Sequence, residues 1–456
     1  MRLPRTSVVV VIVFAHVLAA SMSMVGCIEP YQPYSHIAPG IWRGILELDV
    51  SQQAPAVQDG KLQAQLNFEE VTDGELPFLF EVIYDNDSAF HIEIINGQER
   101  IPVYDISFGR SKSRAKDSIR IDFPVYDTHI EALVEADVME GYWVVHYRPN
   151  YRVHFVARHG QNWRFTTLRK PPVMDLSGRW ACTFGLAENE PYPAIAEFAQ
   201  TGNQLLGTFL TETGDYRFLE GTVQADKFYL STFDGAHAFL FEGKVMPDST
   251  LIGVFYSGTH YKTTWEAKRD PHFTLANPDS LTYLRPGYEK LHFTFLDTDG
   301  QLRSLSDPMF TDKAKLIQIM GTWCPNCHDE TAFLQEYFQQ HPDTNVVVVS
   351  IAFERYRDTS HVLRQLQRYK QKMGIHWLVL WGGYYDKKEA AQALPMLNDL
   401  ISYPTLIFLD KNNRVHYIHT GFSGPATGAY EAFAKKFEKQ LQIITPTSKK
   451  TSSTTQ

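Results

Sequence analysis

Lys315-Leu316-Ile317-Gln318-Ile319-Met320-Gly321-Thr322-Trp323-Cys324-Pro325-Asn326-Cys327-His328 is the stretch on which the fold turns. Its first half is an almost unbroken apolar run, as in a strand buried on both faces of a sheet. Beyond it, Phe333, Leu334, Tyr337 and Phe338 recur at helical spacing, which predicts a helix over 325–340. The two cysteines therefore lie where a buried strand hands over to a helix. Cys324 falls at the helix N-terminus, where unpaired N–H groups and the helix dipole favour a thiolate. Pro325 suits the first helical position. Cys327 lies one turn deeper on the same face, placed to attack a mixed disulfide formed at Cys324. An exposed nucleophile with a shielded resolving thiol is what thiol–disulfide exchange requires. Two other chemistries share the spacing. With His328 the string is C-x-x-C-H, the attachment pattern of c-type haem, and a C-x-x-C pair is also half of a zinc site. The surroundings argue against both. Haem attachment needs no strand before it and no αβ alternation after it, and no second C-x-x-C exists to complete a zinc site.

Outward from the pair the alternation continues. Residues 291–296 read as a strand ending in the turn Asp297-Thr298-Asp299-Gly300, and 344–352, with four consecutive valines, as a buried strand. Residues 358–373 and 386–400 read as helices with a strand at 377–380 between them. A hairpin joins 405–409 to 415–418, and 427–441 closes the region as a helix. Alternating β and α elements predict an α/β sheet covered by helices. The Ser/Thr/Lys-rich tail, 443–456, has the composition of a disordered segment.

Residues 276–442 resemble the thioredoxin-like superfamily, and more closely its TlpA/ResA-type periplasmic disulfide reductases. The matching residues are Gly321-Thr322-Trp323-Cys324-Pro325-Asn326-Cys327, Glu330 and Ser402-Tyr403-Pro404-Thr405. The resemblance implies a nucleophilic Cys324, a resolving Cys327 and no cofactor beyond the redox-active Cys324–Cys327 disulfide. Pro404 matches the family's cis-proline, whose loop faces the cysteines. Trp323, Tyr403 and Pro404 would contact substrate, Tyr403 offering its backbone to an extended chain. Glu330 matches the acid of the TlpA/ResA group. A buried carboxylate there would have a raised pKa and exchange protons with Cys327, although the dipole favours an acid in a first helical turn in any case. Thioredoxin itself keeps a buried Asp six residues before its first cysteine. Gln318 stands there in this chain, which moves proton handling toward Glu330. Gly321 replaces the Thr that a peroxiredoxin needs.

Upstream, apolar and polar residues alternate in runs such as Ser118-Ile119-Arg120-Ile121-Asp122, the pattern of half-buried antiparallel strands. Pro171-Pro172 divides this region into a first β-rich unit, 28–172, and another, 173–270. The downstream unit has the landmarks of a copy of the upstream one: Gly40-Ile41-Trp42 is echoed by Gly178-Arg179-Trp180, Gly141-Tyr142-Trp143 by Gly253-Val254-Phe255, and Tyr151 with Ala157 by Tyr261 with Ala267. Each unit is long enough for about eight strands in a barrel or sandwich. Cys182, alone in a strand-like segment, reads as a small buried hydrophobe. A chain of 456 residues holds about three domains. The aromatic content, 13%, favours β structure, and the net charge of -9 speaks against a nucleic-acid partner.

At the N-terminus, Arg2 and Arg5 precede an apolar run over 8–20 and then Gly26-Cys27. This resembles a lipoprotein signal, residues 1–26, with Cys27 as the lipid-attachment site. The expected location is the cell envelope, facing the periplasm and anchored by lipid. The expected partners are extracytoplasmic proteins with disulfides and a membrane or periplasmic electron donor. No metal is expected: His416 and His419 are three apart on a strand and face opposite sides. The whole chain thus predicts two N-terminal antiparallel β units, barrel- or sandwich-like, followed by an α/β thioredoxin-like domain that reduces disulfides. A disulfide oxidase or isomerase of the same fold, or a ligand-binding lipoprotein with an auxiliary thioredoxin-like domain, are the alternatives.

Overall fold

The computed structural model describes residues 36–48, 66, 68 and 71–445. Cys27, its leader and the tail beyond residue 445 lie outside the described residues. Among the described residues no helix is long and apolar enough to cross a membrane.

The first sheet has nine strands: β1 (Gly40–Glu47), β2 (Glu75–Tyr84), β3 (Phe90–Asn96), β4 (Glu99–Val103), β5 (Ile106–Ser111), β6 (Lys116–Phe123), β7 (Thr128–Glu135), β8 (Val138–Val145) and β9 (Tyr151–His159). They run in the spatial order β4-β3-β2-β1-β9-β8-β7-β6-β5. The period of two decides which face is buried: in β6, Ile119, Ile121 and Phe123 point inward and the residues between them outward. β4 and β5 are the two edges of the sheet, yet only Tyr104 and Asp105 separate them in the chain. The sheet curls until its edges meet at that corner, and they never pair. It is a half-barrel, open where the sequence allowed a closed barrel or sandwich. The physical reason is that neighbouring apolar side chains fill its inner face: Tyr229, Phe233, Leu240 and Tyr256 of the second unit belong to the half-barrel's core.

The second sheet contains β10 (Gly178–Phe184), β11 (Tyr192–Thr201), β12 (Gln204–Thr211), β13 (Gly214–Asp215), β14 (Leu219–Gln224), β15 (Lys227–Phe233), β16 (Ala238–Val245), β17 (Leu251–Ser257) and β18 (Tyr261–Arg269). β11 pairs with both β10 and β12, which closes eight strands into a barrel. β13 is a two-residue strand set on the end of β12. Trp180, Phe184, Phe209, Phe228, Phe241 and Trp265 are fully buried inside, so side chains fill the interior, as a barrel of this strand number permits.

The paired sequence landmarks fall on corresponding strands. Trp42 on β1 and Trp180 on β10 each donate Nε1–H to the carbonyl four residues back, at 2.8 and 2.9 Å. Gly141 on β8 and Gly253 on β17 each face a neighbouring backbone so closely that a Cβ would lie 1.9 Å from Glu131 O and 2.2 Å from Glu242 O. Cys182 is a buried free thiol, and burial pushes its pKa up to about 12.

A linker with the short helix α1 (Pro278–Leu281) leads to the third sheet. Its elements are β19 (Thr294–Asp297), β20 (Leu302–Ser304), β21 (Ala314–Met320), α2 (Pro325–Gln340), β22 (Val346–Glu354), α3 (Thr359–Lys372), β23 (Leu378–Tyr384), α4 (Lys387–Ala393), β24 (Thr405–Leu409), β25 (Val415–Thr420) and α5 (Tyr430–Ile444). The order is β20-β19-β23-β22-β21-β24-β25, with β21, β22 and β23 parallel and β24 antiparallel to β21. Alternate residues of the central strands feed two cores. Leu316, Val348 and Phe408 meet Leu334, Phe433 and Phe437, while Ile317, Ile351 and Ile407 meet Val362 and Leu366.

Two helices differ from expectation. The one expected over 386–400 stops at Ala393, because Pro395 pushes its neighbour Leu394 out of helical geometry (φ -126°, ψ 64°). The last helix runs on through Ile443 and Ile444, residues whose neighbours have the composition of a tail, because Ile444 packs into the core. His416 pairs with Asp410 and His419 with Asp279 of α1, so the two act separately.

Phe233 joins the two β units. It lies on β15, and its ring meets Phe78 at 4.6 Å, Trp143 at 5.4 Å and Phe123 at 5.8 Å. Phe233→Ala is expected to cost about 3–5 kcal/mol. A guanidinium titration followed by tryptophan fluorescence should show a lower midpoint.

Candidate active site

The apolar run of β21 ends at Met320, and the chain turns into α2 through Thr322, Trp323 and Cys324. Cys324 is the N-cap residue of that helix, in extended geometry, and its sulfur accepts a hydrogen bond from the backbone N–H of Cys327 at 3.2 Å. Pro325 takes the first helical position. Cys324 and Cys327 are joined as a disulfide. Cys324 is 6% exposed and Cys327 fully buried, so only the first sulfur has a route to a partner. The helix N-terminus stabilises negative charge on that sulfur, and the Cys327 N–H does so directly.

The loop before β24 closes over the pair. The Tyr403–Pro404 peptide bond is cis, and the Tyr403 carbonyl lies 3.6 Å from Cys324 Sγ. Trp323 donates Nε1–H to Phe353 O at 2.9 Å and stands edge-on to Tyr403 and Tyr385. The structure thus gathers Trp323, Cys324, Cys327, Tyr403 and Pro404 around one sulfur.

Glu330 is one turn along α2 and fully buried. Gln318 Nε2 donates to its Oε2 at 3.0 Å, and Oε1 has no hydrogen-bond partner among the described residues. Burial pushes this carboxyl up to about 8, with the Gln318 bond pulling weakly the other way. Gln318, which marked the departure from thioredoxin, is therefore the residue that holds the acid. Its amide also reaches Cys327 O and Thr331 Oγ1.

Sequence reasoning missed a second buried acid. Glu354, the last residue of β22, accepts from Thr322 N at 2.9 Å and from Thr322 Oγ1 at 2.8 Å. Burial raises it to about 7. It fixes the turn that carries Trp323 and Cys324. The only signal was an acid ending a strand that is otherwise apolar but for Ser350. His328, the residue that raised the haem alternative, turns inward. Its Nε2–H donates to Thr322 O at 2.8 Å, and burial lowers its pKa to about 4, which keeps it neutral.

Neither β unit stands apart from this site. Tyr126, in the turn between β6 and β7, stacks on His328 at 4.6 Å with the rings 8° from parallel. Tyr147 of the half-barrel and Trp323 lie 4.0 and 4.5 Å from the Arg355 guanidinium. Arg217 of the barrel donates to Pro325 O at 3.3 Å and to Asp329 at 2.6 Å. None of these contacts has a motif by which the sequence could announce it. A surface hollow of about 1030 Å³ on the half-barrel lies elsewhere, and most of the charges lining it are paired with one another or with near neighbours, as in Arg152–Glu131 at 2.6 Å.

A capped, dipole-facing Cys324, a buried Cys327 and a facing cis-proline loop on this strand order make the C-terminal third a thioredoxin-like domain with a C-x-x-C pair, of the thiol–disulfide oxidoreductase type. Residues 276–432 match the family model described as Redoxin. Among solved structures, the chain is similar to a thiol:disulfide interchange protein from Chlorobium tepidum, at 18% identity over 36% of this chain and 98% of that one, with a TM-score of 0.26. It is similar to a DsbF homologue from Corynebacterium diphtheriae, at 19% identity over 38% and 97%, TM-score 0.27. It is also similar to a thiol-disulfide oxidoreductase from Bacteroides fragilis, at 16% over 33% and 99%, TM-score 0.25. No curated protein matches the chain.

The raised acid has a measurable signature. A carboxyl at about 8 in the folded chain and 4.5 ordinarily holds its proton more tightly when folded. Its contribution to stability is complete below pH 4.5 and is lost as pH rises through about 8. Glu330→Gln cannot titrate, so the variant should lose less stability than the parent between those limits. Urea titrations at acidic and mildly alkaline pH would test this, and equal losses would contradict it.

Proposed function

We propose that this chain is an exported, lipid-anchored protein-disulfide reductase whose substrates are disulfides in other extracytoplasmic proteins. The observation that carries the exchange chemistry is the N-cap placement of Cys324 with Cys327 buried behind it. The leader pattern with Cys27 supports export and anchoring. The TlpA/ResA-like combination of Trp-Cys-Pro-Asn-Cys with Glu330 supports the reducing direction.

On this reading the exchange runs in the reducing direction. In the reduced enzyme the Cys324 thiolate attacks one sulfur of a substrate disulfide. That S–S bond breaks, and the departing substrate sulfur leaves as a thiolate and takes a proton. The mixed disulfide is then attacked at Cys324 Sγ by Cys327, whose proton passes to the Glu330 carboxylate. The second substrate sulfur leaves as a thiolate and takes a proton, two electrons have moved to the substrate, and the Cys324–Cys327 disulfide remains. A membrane or periplasmic dithiol donor restores the reduced pair. Trp323, Tyr403 and Pro404 hold the substrate segment beside Cys324. Glu354 acts at one remove, through Thr322.

Cys324→Ser should abolish reduction of a protein disulfide, and Cys327→Ser should accumulate the mixed disulfide, seen as a non-reducing gel shift. Equilibration with glutathione fixes the direction. A potential near about -270 mV supports the reductase, and one near about -120 mV makes the chain a disulfide donor instead. Cys27→Ala should move the protein from the membrane fraction to the soluble one, and an unchanged distribution would remove the lipid anchor from the reading.

A further inference from the structure

The barrel sends one element onto the dithiol face. Between β12 and β14 the chain makes a tight hairpin ending in β13, and its tip, Thr213-Gly214-Asp215, lies against three separate parts of the thioredoxin-like domain. Ser402 Oγ, next to the cis-proline pair, donates to Thr213 O at 2.6 Å. Asn326 Nδ2, between the two cysteines, donates to Asp215 O at 3.2 Å. Gly424 N, in the loop after β25, donates to Asp215 Oδ2 at 2.6 Å. In all three bonds the thioredoxin-like domain donates and the hairpin accepts. Packing is as close as the bonding. Gly421 lies against Thr213, and a Cβ on Gly214 would come within 2.4 Å of Asn326 Nδ2. Gly214 has φ +140°, which a side chain would strain. The hairpin is held down at its base by Arg217, bonded to Pro325 O, Asp329 and Glu99.

Ser402, Asn326 and Gly424 form a row of donors along the cis-proline side of Cys324. On the reading of this pair as an exchange centre, that row borders the Trp323, Tyr403 and Pro404 surface on which an extended polypeptide lies while its sulfur meets Cys324. The hairpin tip offers matching features: it runs into the short strand β13, is small at its centre and is rich in acceptors. We propose that Thr213-Gly214-Asp215 is a built-in occupant of the substrate face. It screens Cys324 from protein partners, and an extended polypeptide strand must displace it. A small dithiol needs no strand-binding face and reaches Cys324 without displacing the tip.

The test uses the oxidised full chain and two reductants, dithiothreitol and reduced thioredoxin, with the rate of Cys324–Cys327 reduction read by quenching and thiol alkylation. In each case a reductant thiolate attacks Cys324 Sγ and expels the Cys327 thiolate, which takes a proton. The second reductant thiol then closes the reductant's own disulfide. Gly214→Val pushes the tip off Asn326, and Asp215→Asn weakens its bond to Gly424 while keeping the hairpin's size. Either variant should raise the thioredoxin rate roughly tenfold, the shift expected on losing about one charge-assisted hydrogen bond, and leave the dithiothreitol rate nearly unchanged. If both rates rise together, or neither changes in the two variants, the hairpin is not a screen. If dithiothreitol fails to reduce the parent disulfide at all, the exchange reading itself fails.

Discussion

The Arg217 guanidinium is the point on which the arrangement of the three domains depends. It is almost fully buried in the barrel, and its anionic partners come from all three units: Glu99 at the start of β4, Asp234 in the barrel's own β15–β16 loop at 3.6 Å, and Asp329 on α2 at 2.6 Å. A buried cation is costly unless every side of it is answered. The planar fork of arginine can meet several oxygens at once where a lysine would meet fewer. Three carboxylates around one guanidinium leave negative charge in excess, and the site adjusts to it. Burial raises Glu99 and Asp329, while Asp234, helped by His237, stays ionised at about 2. Because Arg217 also bonds Pro325 O, the same cluster that docks the barrel reaches the turn between the two cysteines.

Locality decides what could be read before the structure. The strand, turn and helix around Cys324 lie within one short stretch, and burial periodicity, proline placement and cysteine spacing all agree there. The cis-proline loop is remote in sequence but carries its own signature. Gln318 was legible only as a departure. That its amide bonds Glu330 depends on β21 and α2 packing face to face, which no local pattern encodes. Glu354 shows the same limit from the other side: an acid at the end of a valine-rich strand has the pattern of the strand's exit to solvent, and here it is a buried anchor. The helix expected over 386–400 erred differently, since the apolar spacing continues past the proline that ends it.

The two β units show how far an alternating pattern can be trusted. Their landmarks occupy matching strands, and the tryptophans make matching hydrogen bonds. One sheet nevertheless closes and the other does not, because alternation reports only that one face is buried and not what buries it. In the barrel the answer is its own phenylalanines and tryptophans. In the half-barrel it is partly the outer wall of its neighbour, so the first unit has a complete core only when the second is present.

An unclosed sheet leaves two strands with unspent backbone donors and acceptors, and these are a standing invitation for another chain to add on as a further strand. The composition of the two rims answers that hazard. β4 carries Pro102, which has no N–H to offer, and β5 runs through Arg110 toward Lys112 and Arg114, which crowd like charge along the outer rim. Two strands that the fold could not close are thus made poor templates for aggregation, and the sheet can stay open without polymerising through its rims.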